Sequence, residues 1–214
     1  VRSVPGVLKY WVTTELSKVN PATGNRIEDG YTGSGVDNYK KANAVWDAGT
    51  NTVSLSAARN EVVGCQLVLE RIVANLTNVQ VTVSNLTGPA GTLPSNPYAE
   101  LFQMFYVSSG AYRYPDPAVQ LASPLATTFS IPDTNRNLGG VNQSVWIDIY
   151  VPKYTGLPSS PATFYPGDYT GTITVAADQL SAPVTINLKL RVSQATLPDT
   201  PTFIVDLNGY SQGG

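Results

Sequence analysis

The sequence predicts an all-β protein, namely a two-sheet antiparallel β-sandwich of jelly-roll or immunoglobulin-like type with about nine to ten strands. Residues 141–192 give the strongest indication, because three segments there alternate apolar and polar side chains with a period of two. Pro, Gly or Asp bounds each segment, and turn-forming residues recur at short intervals along the whole chain. No segment shows a convincing helical period, so strands joined by turns are expected throughout.

Five further strands are expected before that region. VLKYWVTTEL at residues 7–16, TVSLSA at residues 52–57 and NVQVTVS at residues 78–84 alternate in polarity. VVGCQLVLER at residues 62–71 is apolar on both faces, which indicates a central strand. In AELFQMFYVS at residues 99–108, aromatic and β-branched side chains favour a strand over a short helix.

Two segments without a strand pattern separate these elements. Residues 20–50 are rich in turn formers and predict a long surface loop that is either functional or mobile. Residues 112–132 contain several prolines and predict an extended crossing over one end of the sandwich. We therefore assign residues 1–193 to the sandwich, residues 194–201 to a Pro-containing linker, and residues 202–214 to a terminal strand, which either adds to a neighbouring molecule or leads into a further domain.

The charge balance excludes several classes of partner. Charged residues make up 13% of the chain, against about 25% in ordinary globular domains, and the net charge is −2. The sequence has no basic stripe that could attract nucleic acid or an anionic membrane. No apolar run approaches the length of a membrane-spanning helix, so membrane insertion is not expected. A chain low in charge and rich in Thr, Ser, Asn and Gly is typical of extracellular or cell-surface β-proteins.

The chain has no histidine and one cysteine. Without histidine it cannot form a Ser-His-Asp triad, a Cys-His dyad or a His-ligated zinc site. Cys65 lies in an apolar run and is expected to be a small core residue. No cofactor or metal is predicted, although Asp29, Asp37 and Asp47 could contribute oxygen ligands to a calcium site.

Three Asn-X-Ser/Thr sequons, at Asn75, Asn85 and Asn142, would permit N-glycosylation in a secreted protein. A chain this rich in Asn, Ser and Thr produces such triplets by chance. The sequons therefore allow glycosylation without arguing for it.

The strand around Trp146 carries the first candidate site. Its apolar residues point to one face, which leaves Trp146, Asp148 and Tyr150 on the other. An aromatic ring can stack on the apolar face of a pyranose while a carboxylate accepts hydrogen bonds from its hydroxyl groups. These three side chains are thus candidates for glycan binding. The alternative is that this face packs against a second sheet, a loop or another domain.

A second candidate is the aromatic and polar cluster in YVSSGAYRYPDP. Tyr106, Tyr112 and Tyr114 accompany Arg113 and Asp116 there. Tyrosines on a Pro-rich segment can line a glycan groove, or they can hold the segment against the sandwich with their rings.

A catalytic pair is not apparent in the sequence. Glycoside hydrolysis needs two carboxylates about 5–10 Å apart, and no acidic pair stands at a strand end within a convincing cleft sequence. The triplet Arg59-Asn60-Glu61 is more simply explained as a turn whose side chains bind backbone groups.

Five segments occur in an order that resembles the N-terminal β-sandwich of glycoside hydrolase family 123-like proteins. They are AARNEVVGCQLVLE at 57–70, YRYPDPAVQL at 112–121, WIDIYVPK at 146–153, PGDYTGTITV at 166–175 and LPDTPTFIVDLNGY at 197–210. In that family a (β/α)8 barrel follows the sandwich and carries the Asp-Glu pair that cleaves N-acetylgalactosaminides. Because no barrel follows in this sequence, the resemblance implies the fold and an association with carbohydrate, and it does not imply the activity.

Three functions are therefore expected, and they are given from the most to the least favoured. The first is a non-catalytic accessory sandwich of a secreted carbohydrate-associated protein. The second is a subunit of an extracellular filament or surface layer, in which residues 202–214 add to the sheet edge of another copy. The third is a stand-alone glycan-binding module. Across these three functions, the expected partners of the chain are copies of itself, a following domain or carbohydrate.

Overall fold

A computed structural model of the protein describes residues 1–27, 38–89, 91–110, 112–122, 127–155 and 162–200. Strands dominate, and the two main sheets form the predicted β-sandwich. No helix among these residues has the length and hydropathy needed to cross a bilayer. The described helical structure includes one short turn, α1, at Ser95–Tyr98.

Six strands form the first sheet. Numbered in chain order and given in spatial order, they are β1 (Arg2–Val4), β2 (Leu8–Thr14), β5 (Glu61–Arg71), β12 (Asn142–Val151), β9 (Ala99–Ser109) and β10 (Tyr112–Gln120). Every neighbouring pair in this sheet is antiparallel. The apolar strand β5 lies between β2 and β12, which confirms its predicted central position.

The second sheet also has a six-strand path. Its order is β11 (Phe129–Ile131), β6 (Leu76–Val83), β15 (Gly167–Ala176), β16 (Val184–Thr196), β4 (Thr52–Arg59) and β3 (Trp46–Asp47). The short strands β7 (Leu86–Gly88) and β8 (Gly91–Leu93) extend it beside β15. One pair departs from the antiparallel pattern, because β16 runs parallel to β4. A two-stranded ribbon, β13 (Tyr154–Thr155) with β14 (Ala162–Thr163), completes the described strands.

The core follows directly from the period of two. Residues at alternating positions of β12, such as Val145, Ile147 and Ile149, are fully buried against the other sheet. On β16 the buried residues Ile186 and Leu188 alternate with exposed polar ones. The three strands expected within residues 141–192 are present, but they divide between the sheets, since β12 belongs to the first and β15 and β16 to the second.

Among the described residues, nine strands have seven residues or more, in agreement with the expected nine to ten, and seven additional strands have two or three residues. Such short strands leave too little alternation to recognise in a sequence. The ambiguous segment 99–108 forms a strand, as its aromatic content indicated.

The prediction for the Pro-rich segment was wrong in its first half. Residues 112–120 form the edge strand β10, paired with β9 through a register shift between Pro115 and Ala118. Proline lacks an N–H donor and is tolerated at a sheet edge or at a bulge, and β10 has both. The sequence does not show that a strand will lie at a sheet edge, so the two prolines made this strand look like an irregular segment.

The described parts of the 20–50 segment are closely packed. Trp46 of β3 is buried against Tyr10 of β2, with ring centroids 6.4 Å apart. Tyr39 meets Trp11 edge to face at 6.3 Å and binds the Gly24 carbonyl through its hydroxyl. Tyr39 thus helps to cover the outer face of the first sheet beside Trp11, whereas Trp46 packs between the two sheets.

Candidate functional site

Trp146 and Asp148 lie side by side on the outer face of β12. The Trp146 indole Nε1 donates a hydrogen bond of 2.6 Å to Asp148 Oδ1. Gly64 of β5 stands opposite Asp148, and a Cβ at that position would come within 2.6 Å of the same oxygen. Glycine in this central strand therefore leaves the space in which the indole and the carboxylate meet.

The carboxyl group of Asp148 has an unusual electrostatic environment. Burial raises its pKa, and the hydrogen bond from Trp146 partly opposes that rise. The negative charges of Glu100 and Glu15 raise the pKa further. The outer face is thus acidic around Trp146.

A trough crosses the outer face at this point. One hollow of about 240 Å³ has Gln66, Met104 and Trp146 as its floor, residues 15–18 as one wall, and Pro115 and Asp116 as the other. An adjoining hollow of about 340 Å³ shares Met104, Asp116 and Trp146 and extends to Phe102, Ala118 and Asp148. We call the two hollows together the Trp146 trough.

The irregularity in β10 builds the far wall of the trough. The register shift between Pro115 and Ala118 places Asp116 at the bulge. Bulges re-aim side chains and are frequent beside functional sites. The sequence indicated Asp116 only as a neighbour of the tyrosine cluster. In the fold it lines the trough, whose lining residues do not include Tyr106 or Tyr114.

Gln66 anchors the near wall. Its Nε2 donates hydrogen bonds to the backbone carbonyls of Thr14, Glu15 and Ser17, at 3.3, 2.7 and 2.7 Å. Gln66 is 1% exposed, and its Oε1 has no hydrogen-bond partner among the described residues. Sequence analysis missed this residue, because nothing in an apolar central strand shows which loop its one amide will bind.

Tyr150, the third residue predicted on this face, contacts Asn60 in the turn between β4 and β5. Its hydroxyl donates to Asn60 Oδ1 at 2.8 Å, and its ring lies 6.1 Å from that of Tyr98. The Asn60 amide also donates to the Leu197 carbonyl and to Asp199 Oδ1. Asp199 in turn pairs with Lys153 at 2.8 Å. This cluster holds the chain after β16 against the sandwich.

The turn predicted at Arg59-Asn60-Glu61 is present. Asn60 adopts a positive φ of 63° between β4 and β5, and its N–H donates to the Val151 carbonyl. Arg59 donates to the carbonyls of Phe164 and Gln194, while Glu61 Oε2 accepts from the Ala58 N–H. These contacts confirm a structural role for the triplet. Strand β16 itself continues to Thr196, into the segment expected to be a linker.

The fold places the described members of the tyrosine cluster in different surroundings. Tyr106 is 4% exposed, and its hydroxyl lies 3.2 Å from Ser144 Oγ and accepts from the Ser144 N–H. Burial raises the pKa of Tyr106 to about 12. Tyr114 is half-buried, and the side chain of Tyr112 lies outside the described residues. Arg113 donates to the Leu138 carbonyl across the sheet end.

The three sequons differ in accessibility. Asn75 and Asn85 are exposed. Asn142 is fully buried, and its Nδ2 donates to the Pro21 carbonyl at 3.1 Å. A glycan cannot be attached at Asn142 in the folded chain, since the nitrogen that would carry it is enclosed.

Other reactive groups are structural. Cys65 is buried in the core, which raises its pKa to about 12. Asp47 accepts hydrogen bonds from the Gly49 N–H and the Thr50 hydroxyl, and these lower its pKa. No group of three metal-ligating side chains assembles among the described residues. Asp29 and Asp37 lie outside them, so the calcium hypothesis stays a prediction.

A third hollow, of about 420 Å³, lies on the outer face of the second sheet. Ser54, Asp168, Lys189 and Arg191 are among its lining residues, and its only aromatic neighbour, Tyr169, is fully buried. It thus lacks the accessible aromatic surface that Trp146 gives the trough.

Comparisons with known proteins agree with the fold. Residues 32–177 match the sequence profile of the glycoside hydrolase 123 N-terminal domain. A family 123 glycoside hydrolase from Clostridium perfringens, studied for glycolipid glycan hydrolysis, superposes with a TM-score of 0.62 at 19% identity. The match covers 90% of this chain and 28% of that enzyme, so the chain spans little more than a quarter of the enzyme's length.

A second solved structure, the CooA pilin subunit of enterotoxigenic Escherichia coli, covers 73% of this chain and 97% of the pilin at 12% identity. Its TM-score of 0.36 is too low to indicate a shared fold. No curated protein matches the chain in sequence.

Proposed function

The chain belongs to the glycoside hydrolase 123 N-terminal domain family, and we propose that it is a non-catalytic, extracellular accessory β-sandwich of a carbohydrate-active protein. The observation that carries this proposal is the extent of the match, which lies within the N-terminal domain and covers 28% of the Clostridium perfringens enzyme. The enzyme acts on glycolipid glycans by its description, and for this chain that substrate class is part of the proposal.

The chemistry of the described residues supports a non-catalytic role. The chain has no histidine to serve as a general base, and its one thiol is enclosed in the core with a raised pKa. Asp148, whose pKa is raised by burial, is bound to the Trp146 indole. That contact suits a group that shapes a binding surface.

The composition supports an extracellular setting. Only 13% of residues are charged, and the outer face of the second sheet presents Thr, Ser and Asn between a few charges. An accessory sandwich with such a surface would act beside its catalytic partner by holding it or its substrate in place.

A hydrolysis assay tests the proposal. The purified chain is incubated with para-nitrophenyl N-acetyl-β-galactosaminide at several pH values, with an active hexosaminidase as the positive control. We expect no release of nitrophenol above the buffer blank. Turnover by the wild-type chain that is lost in Asp148→Asn, but kept in the matched variant Asp168→Asn on the second sheet, would contradict a non-catalytic role.

The filament alternative depends on residues 202–214, which lie outside the described residues. The structure therefore adds no observation in its favour, and strand donation stays a prediction. Electron microscopy of the purified protein would test it, since dispersed particles of about 23 kDa would exclude a filament subunit.

A further inference from the structure

Gln66, which lines the Trp146 trough, has a buried acceptor without a donor. The three carbonyls around Gln66 Nε2 fix the orientation of the side-chain amide, because exchanging N and O would set four acceptors together. Oε1 is therefore the remaining atom, and it has no partner among the described residues. Buried acceptors in folded proteins are almost always satisfied by a donor. Because Oε1 itself is enclosed, Gln66 supports the floor of the trough, and the contacts to a ligand fall to the more exposed side chains around it.

The walls of the trough carry more negative than positive charge. Glu15, Asp116 and Asp148 line it, and Lys18 is its one cation. Asp116 is exposed and makes no hydrogen bond or ion pair with another described residue. The charges select against an acidic ligand and favour one that combines hydrogen-bond donors with positive charge.

The trough also offers apolar surface. Trp146 and Met104 are common to both hollows, Phe102 extends one of them, and Leu16 stands 82% exposed on the rim of the other. Sugar rings have apolar faces with donors at their edges, which fits an aromatic floor between acceptor walls. The two hollows on either side of Trp146 give the trough a volume in the range of small-molecule sites, about 300–1,000 Å³.

We propose that the Trp146 trough binds an oligosaccharide that carries free amino groups. This inference rests on the proposed accessory function and specifies its ligand. Each ammonium group can pair with a trough carboxylate, and the apolar ring face can rest on Trp146. A neutral oligosaccharide would lack the first of these interactions, and a basic peptide would lack the ring faces.

Isothermal titration calorimetry with four trimers tests the inference. The probes are the glucosamine trisaccharide of chitosan, its fully N-acetylated form, trigalacturonate and trilysine. We expect the glucosamine trimer to bind at least about fivefold more tightly than the other three, and to weaken as salt is raised. The acidic trimer should give no detectable binding.

Two matched variants locate the site. Asp116→Asn removes one charge from the trough, and Asp168→Asn removes one from the hollow on the second sheet. Because Asp116 makes no contact needed for folding, its variant should fold normally and bind the glucosamine trimer about fivefold to tenfold more weakly. Asp168→Asn should bind like the wild type.

Four results would overturn the inference. They are equal affinity for the N-acetylated trimer, equal affinity for trilysine with the same loss in Asp116→Asn, loss in Asp168→Asn instead, or no binding of the glucosamine trimer at millimolar concentration. The hydrolysis assay stands apart from all four, since turnover would contradict the accessory role whether or not the trough binds a sugar.

Discussion

The two sheets of the sandwich meet solvent differently. On β16 of the second sheet, buried apolar residues alternate regularly with exposed polar residues such as Asn187 and Lys189. The first sheet is buried on both faces over much of its area, because Trp11, Gln66 and Val68 point outward and are still enclosed. The candidate site lies where this cover is incomplete, so the sheet that looks more like a core is the one that carries the functional surface.

The cover is built from contacts far apart in sequence. Tyr39 meets the edge of Trp11, Lys40 Nζ lies 4.5 Å from the Trp11 ring centroid, and Gly24 approaches so closely that a Cβ there would be 2.9 Å from the indole. Gly140 leaves similar room beside Pro21. These segments are loops in topology and part of the hydrophobic core in their packing.

The largest expected effect comes from removing the centre of the cover. Trp11→Ala should lower the free energy of unfolding by about 3–5 kcal/mol, because it empties a fully buried site that nearby side chains cannot fill. Lys189→Ala, on the outer face of the second sheet, should change the free energy of unfolding by less than about 0.5 kcal/mol. Urea denaturation measures both. Similar losses in the two variants would contradict the difference between the sheets.

A smaller effect is expected at Gly64. Its replacement by Ala brings a methyl group to about 2.6 Å from Asp148 Oδ1, so the Trp146–Asp148 pair must shift. We expect a loss of about 1–3 kcal/mol in the free energy of unfolding and a change in tryptophan emission.

The double variant Gly64→Ala with Asp148→Ala removes the oxygen that the methyl group meets and serves as the control. It should be more stable than the sum of the two single changes implies. If the two effects simply add, the close approach does not determine the geometry of the pair.

The smallest effect is expected for Asp148→Asn. The folded-state pKa of Asp148 is raised, so its deprotonation disfavours the folded state, and the cost is present above that pKa and disappears as pH falls below the unfolded-state value. The Asn side chain can still accept from the Trp146 indole and is never charged. At pH 7 the variant should therefore equal the wild type or exceed it by up to about 0.5 kcal/mol.

The difference between Asp148→Asn and the wild type should vanish toward pH 3 in urea denaturation followed across pH. A variant that is clearly less stable at pH 7 would show that the charge itself stabilises the folded chain.

The sequence predicted the sandwich because period-two alternation in segments such as 142–151 reports directly on which face is buried. It placed Trp146 and Asp148 correctly on the outer face for the same reason. It missed Gln66, whose role depends on carbonyls about fifty residues away. It left open whether Tyr106 lines a groove or packs against the sandwich, and the fold buries this residue. Local patterns identify a face of a strand, and only the packed fold shows what covers that face.

The parallel pairing of β16 with β4 bears on when the protein can fold. Leu190 lies beside Leu55 in that pair, so the register joins residues separated by 135 positions. At synthesis rates of about 5–20 residues per second, β4 leaves the ribosome on the order of ten seconds before its partner. Until then Val53, Leu55 and Ala57 lack the neighbour that separates them from β15 in the finished sheet. The second sheet can close only after nearly the whole described chain has been made, which makes β16 the last piece of the core to arrive.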